Sequence, residues 1–217
     1  MRKARVASPG TVDARRRHGR RRAVRIMLVS ASIAVLVVLC VLALIALAFS
    51  TTVSGQSMQP TLRSGDRMVV NVLNHGSGAS RFDLVELPLG PQRERAVKRL
   101  IGLPGDQVRM STVAGKPLVE VKRPGQAWEA VDNPAWRPGG RPVTCCDKQG
   151  RMGVSRPTAA TVPADAVWVL GDNLDASQDS RIFGFVRRDD IGATLNWRIF
   201  PLGDFGPVER NVRFAAE

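Results

Sequence analysis

The clearest pattern in the chain is a run of 24 residues, Ile26 to Phe49, without a single charge. As a helix it spans roughly 36 Å at about 1.5 Å per residue, against a hydrocarbon core of about 30 Å. The run therefore predicts one transmembrane helix over residues 26–49. A cleavable secretory leader is the other reading, and Ala46-Leu47-Ala48 offers a small-x-small cut. The apolar region of such a leader usually covers only about 7 to 15 residues, so length favours the anchor.

Beyond the run, the apolar period falls from helical to two. Arg67 to Leu73 is rich in β-branched residues, Asp83 to Leu87 alternates up to Pro88, and Arg95 to Gly102 is a further strand closed by the turn Leu103-Pro104-Gly105-Asp106. Gln107–Met110 and Leu118–Val121 fit a hairpin. Ala166-Val167-Trp168-Val169-Leu170 is a strongly apolar strand, and Phe185-Val186 and Ala193 to Phe200 supply the last ones. Between about Lys122 and Pro163, proline and glycine interrupt every period, which predicts an irregular or short-stranded insertion rather than a second core. No long amphipathic helix and no repeat appears after the span. The expected class is mainly β, an antiparallel sheet domain over 50–217 behind one N-terminal transmembrane helix.

Charge refines this picture. Of the net charge of +13, +9 sits in residues 1–25, which hold ten basic residues against Asp13 alone. Such a tail suits nucleic acid or anionic lipid, and the apolar run next to it favours lipid and topology. By the positive-inside rule the tail is cytoplasmic and residues 50–217 lie outside the cell membrane, a single-pass arrangement without a nucleic-acid role.

Cys40 falls inside the span. Cys145 and Cys146 are neighbours on the oxidising side, with Cα atoms about 3.8 Å apart in an ordinary peptide, shorter than a disulfide spans. The expectation is two ordinary loop thiols, with a redox or intermolecular role as the alternative. The histidine beyond the span, His75, lies in the loop Asn74-His75-Gly76-Ser77-Gly78, and no His/Cys spacing suggests a metal cage. No metal or cofactor is expected.

Candidate chemistry lies just past the span, in Val53-Ser54-Gly55-Gln56-Ser57-Met58-Gln59-Pro60. Ser57 stands between a glycine and a Met-x-Pro turn, the setting of a nucleophile. Val53 and Met58 suit either contact with lipid headgroups or core packing. Its candidate base is Lys98. The chain uses 27 Arg and only 5 Lys, and arginine cannot deprotonate at neutral pH whereas a buried lysine can. Bringing a lysine from about 10.4 to about 7.5 means disfavouring its charged form by roughly 4 kcal/mol, within reach of burial beside Val97, Leu100 and Ile101. Taken alone, Lys98 also reads as a surface lysine.

Ser54–Leu62, Gly65–Asn71, Lys98–Asp106 and Gly171-Asp172-Asn173-Leu174-Asp175-Ala176-Ser177-Gln178-Asp179-Ser180-Arg181-Ile182-Phe183-Gly184 together resemble the bacterial type I signal peptidases (leader peptidases). The order is the same, and the likeness runs from the span to about Phe205. The resemblance implies a serine endopeptidase with a Ser57/Lys98 dyad and an acyl-enzyme intermediate. It implies that Ser177 orients the lysine, that Asp179 and Arg181 form an ion pair beside the site, and that Asp172 and Asn173 support it. The oxyanion hole would be the Ser57 backbone N–H with a second donor. Gly55 stands where one form of the family carries a serine, so that hydroxyl donor is absent, as in Gram-positive members. The implied substrates are secretory preproteins in the same bilayer with small residues at −1 and −3, and the expected enzyme is a monomer.

Other readings are weaker. A repressor-type Ser/Lys autoprotease would carry a DNA-binding domain in place of an anchor. A Ser/His peptidase finds only His18, on the cytoplasmic side, and His75. A non-enzymatic single-span binding protein would leave the four matching segments without a reason.

Overall fold

The computed structural model describes residues 9–71, 78–139, 143–153, 157–208 and 210–215, with side chains from residue 22 onward. Residues 72–77, which include His75 and the end of the first predicted strand, lie outside the described residues. The helix and the chain from Phe49 onward are two compact units.

Helix α1 runs from Pro9 to Ala48 and so begins well before the apolar run. Proline is suited to a first helical turn, and arginine is a good helix former, so charge alone does not stop the helix. Its segment Arg22–Ala48 has a mean hydropathy of 3.1 and is long and apolar enough to cross a membrane.

The second unit is built of antiparallel strands: β1 Ser50–Thr52, β2 Arg67–Asn71, β3 Leu84–Leu89, β4 Glu94–Gly102, β5 Gln107–Val113, β6 Lys116–Lys122, β7 Trp128–Asp132, β8 Ala160–Thr161, β9 Ala166–Leu170, β10 Val186–Arg187, β11 Ala193–Phe200, β12 Gly206–Pro207 and β13 Arg213–Phe214. The short helix α2, Ser180–Phe183, precedes β10. One sheet has the order β1-β2-β11-β3-β4-β9-β10, with β12 on β11, and the other has the order β13-β7-β6-β5-β8.

Strand β9 explains how the two sheets share an interior. All five of its residues are buried. Alternation sends Val167 and Val169 into one cluster with Val85, Leu87 and Leu100, and Ala166, Trp168 and Leu170 into another with Ile101, Val108 and Val121. Full burial of one such side chain contributes about 1.5–3 kcal/mol, so β9 and its partner β4 form the wall on which both clusters rest.

The predicted irregular insertion is only partly irregular. It supplies β7, and Val131, Trp136, Cys145, Cys146 and Ala160 bury themselves in the second cluster. A second core therefore exists, assembled from short segments too brief to show a period. The two thiols also differ from the expectation. Cys145 and Cys146 are joined in a disulfide across a cis peptide, which brings their Cα atoms to 3.0 Å, and both are buried. Val53 and Met58 resolve to core packing with Leu62, Met68 and Leu195.

Candidate active site

Register places the site where β4 begins its second pairing and β9 ends. Strand β4 pairs with β3 along Glu94–Arg99, but with β9 only through Arg99, Leu100 and Gly102. Lys98 is thus the last β4 residue before β9 takes over that edge. Arg99 lies opposite Leu170, and the chain leaves β9 directly into Gly171 and Asp172.

Ser57 reaches this corner on a tight turn. Gly55 adopts φ +84°, left-handed backbone that favours glycine, and a side chain there would meet nothing within 4 Å. The turn closes through Gln59 N–H to the Gln56 carbonyl at 3.2 Å, and Leu62 N–H to the Met58 carbonyl at 2.9 Å begins the next one. The Asn173 N–H donates to the Ser57 carbonyl at 3.0 Å, pinning the serine to the loop after β9.

Lys98 Nζ stands 2.7 Å from Ser57 Oγ. The lysine is 3% exposed. Burial pushes its amine below the ordinary lysine value of 10.5; the Asp179 carboxylate works against that and the Arg181 guanidinium adds to it. A lysine so placed is biased toward the neutral form that accepts a proton from a hydroxyl.

Beneath the pair lie two buried ion pairs. Asp179 is joined to Arg181 by Nε to Oδ1 and Nη2 to Oδ2, each 2.8 Å, and it caps α2 by accepting from the Arg181 N–H. It also accepts from Gly171 N–H at 3.0 Å, while Arg181 donates to the Leu174 carbonyl at 2.8 Å. The 171–181 loop is therefore folded around this pair. Asp172 is held by Arg99, Nε to Oδ1 at 2.7 Å and Nη2 to Oδ2 at 2.6 Å, with Asn133 Nδ2 at 2.9 Å and the Thr61 hydroxyl as further donors.

The structure thus brings together Ser57, Lys98, Asp172, Asn173, Asp179 and Arg181. Ser177 is buried against Gly171, but its Oγ makes no hydrogen bond, to Lys98 or to another described group. Arg99, Thr61 and Asn133 belong to the site although sequence reasoning did not single them out. Arg99 adjoins Lys98 and could have been flagged by its place in the apolar end of β4; Asn133 carried no signal.

A groove of about 570 Å³ opens at the pair, lined by Thr51–Met58 on one side and Glu94–Lys98 on the other. Among the described residues, the Glu94–Lys98 stretch has one edge without a partner strand, because β9 pairs only from Arg99 onward. An extended peptide can add there as a strand.

Residues 25–200 match the model of the signal peptidase family, peptidase S26. Signal peptidase I of Bacillus caldolyticus is 36% identical over 177 residues, covering 78% of this chain and 90% of that protein. Signal peptidase IB of Staphylococcus aureus is 29% identical over 154 residues, covering 71% and 78%. Among solved structures, a signal peptidase I from Enterococcus faecalis is 26% identical, with a TM-score of 0.38, covering 54% of this chain and 96% of that one. With this match over most of its length, the chain belongs to the signal peptidase family, peptidase S26, and is a serine peptidase of signal-peptide processing.

Proposed function

We propose that this chain is a membrane-anchored endopeptidase that cuts signal peptides from secretory preproteins through a Ser57/Lys98 dyad. The observation that carries the reading is the 2.7 Å contact between Ser57 Oγ and a buried lysine whose amine is shifted toward neutrality. Ser57 Oγ attacks the scissile carbonyl while its proton passes to Lys98 Nζ, and the lysine then gives that proton to the departing amine. Water, deprotonated by the Lys98 amine, then attacks the ester carbonyl, and the lysine returns that proton to Ser57 Oγ as the bond to the acyl group breaks. The Ser57 N–H, which has no acceptor among the described residues, is placed to donate to the oxyanion. Gly55 offers no side chain as a second donor. Asp179 and Arg181, with Asp172, hold the loop, and Ser177, whose buried hydroxyl has no partner among the described residues, is assigned the role of orienting the amine.

The segment before the cut lies along the free edge of Glu94–Lys98, and the small residues Thr52, Ser54, Gly55 and Ala96 in the groove walls suit small side chains at −1 and −3. The apolar α1 segment anchors the enzyme in the bilayer that holds its substrate, which raises their effective concentration. Arginines before the span place the N-terminus in the cytoplasm and the peptidase unit outside. Phe200, Leu202 and Phe205, each more than half exposed, give that unit an apolar surface patch suited to lipid. A monomer is proposed.

The test is cleavage of a preprotein with an Ala-x-Ala site in liposomes by the wild type, Ser57→Ala and Lys98→Met. Loss in both variants with the fold retained supports the dyad. Substantial cleavage by Lys98→Met would remove the lysine from its role.

A further inference from the structure

A second groove, of about 430 Å³, begins where the first one ends. Met58 lines the first and Gln59 the second; Ala176 lines the first and Asp175 the second. On both walls the boundary falls within one residue, so the two grooves adjoin close to Ser57, which lines the first. A polypeptide attacked at Ser57 must lie on both sides of it. The segment before the scissile bond occupies the groove at Lys98, which leaves the second groove for the residues after the cut.

One wall of this second groove, Ala135–Gly139 with Val143, is built by the segment that shows no period in the sequence, and it is fixed to the site. Trp136 Nε1 donates to the Gly171 carbonyl at 3.2 Å, tying the 133–139 loop to the loop that pins Ser57. The same loop is joined to the β5–β6 turn by Gly139 N–H to the Gly115 carbonyl at 3.0 Å. A groove held this way is preformed, as a site for an extended chain needs to be.

Its charges are uneven. Asp172 is engaged by Arg99, and Asp175 lines the wall beside the boundary. Arg137 is exposed on the opposite loop and forms no ion pair among the described residues. We propose that Arg137 is a specificity residue that reads the first residues of the mature protein and favours an acidic side chain there. The inference rests on the signal-peptidase reading of the Ser57 site and adds a second recognition element to it.

The experiment uses the full chain in liposomes with one preprotein carrying a fixed Ala-x-Ala site and either Glu or Lys placed in turn at the first to sixth positions after the cut. The expected result is a kcat/KM about 2–5-fold higher for Glu than for Lys at one or two adjacent positions, the scale of an exposed charge pair. Arg137→Ala removes that preference and Arg137→Glu reverses it, while the ranking of residues at −1 and −3 stays the same. A Glu/Lys ratio near one at every position, or a ratio that Arg137→Glu does not move, overturns the inference with the peptidase reading intact. A wild type that cuts none of the preproteins, or whose cutting survives Ser57→Ala, overturns that reading and this inference with it.

Discussion

Arg99 and Asp172 grip each other through two parallel hydrogen bonds of 2.7 and 2.6 Å, with both side chains essentially out of solvent. Each is the chain neighbour of a site element, Arg99 of Lys98 and Asp172 of the Gly171 turn. Because side chains alternate along β4, the arginine is clamped on one face while the lysine emerges on the other. Removing one partner leaves a buried charge, so Arg99→Ala is expected to cost about 3–5 kcal/mol, or roughly 2–4 °C of Tm per kcal/mol for a unit of this size. The pair Arg99→Met with Asp172→Leu restores part of the stability, though Thr61 and Asn133 then lose their acceptor. Thermal unfolding of the solubilised chain reads both.

The Ser57/Lys98 contact predicts a one-sided pH profile. The base must be neutral, so kcat/KM rises with pH through the lysine's lowered value and levels off above it, with an apparent pKa below the ordinary 10.5. Lys98→Arg keeps a cation that cannot deprotonate. It should lose at least about 10²–10⁴-fold in kcat/KM across the whole range. A profile for Lys98→Arg that still rises near the wild-type pKa would assign the titration to another group.

Gly171 has no room for a methyl group. A Cβ there would stand 2.5 Å from the Ser57 carbonyl oxygen and closer still to Ser177 Oγ. Relief requires that the Ser57 turn or the 171–181 loop move, and a displacement near 1 Å at a reacting atom costs about 10²-fold in rate. Gly171→Ala is therefore expected to lower kcat by about that factor. Gly192→Ala, whose Cβ meets only the Glu86 carbonyl at 3.7 Å, serves as the matched control and should keep its activity.

How far the sequence could be read follows from the range of the interactions. The apolar helix announces itself by length and lack of charge, and strands β2 to β6, β9 and β11 by local runs of apolar and β-branched residues. Ser57 and Lys98 stand out through their neighbours. The second core does not, because its members Val131, Trp136, Cys145 and Ala160 come from segments too short to show a period. Nor do the polar supports of the site. Asp172 takes donors from Thr61, Arg99 and Asn133, residues 111, 73 and 39 positions away, and such contacts leave no spacing to detect. The Cys145–Cys146 bond was missed because the expectation assumed a trans peptide.

That bond is directly countable. Alkylation of the denatured chain without reductant should label one cysteine, Cys40, and with reductant all three. In the native state a mild thiol should leave the bond intact, because Cys145 and Cys146 are 2% and 0% exposed and thiol exchange needs access to a sulfur. Three labels without reductant would return the pair to free thiols.

Lys98 also sets a conflict between stability and activity whose sign can be checked. Its folded-state pKa is lowered, mainly by burial. Above about pH 10.5 the lysine is neutral in the folded and unfolded chains alike, and burial of its amine carries no charge penalty. As pH falls below that value the unfolded chain takes up a proton that the folded chain resists, so folding loses free energy until the pH passes below the folded pKa. The penalty is therefore present in full at low pH and fades as pH rises. Lys98→Met removes it while keeping a side chain of similar length. The variant should thus unfold at higher denaturant than the wild type at neutral pH, with the gap closing toward pH 10.5. A gap that is absent at neutral pH, or that widens as pH rises, would mean that burial does not hold the Lys98 amine toward its neutral form.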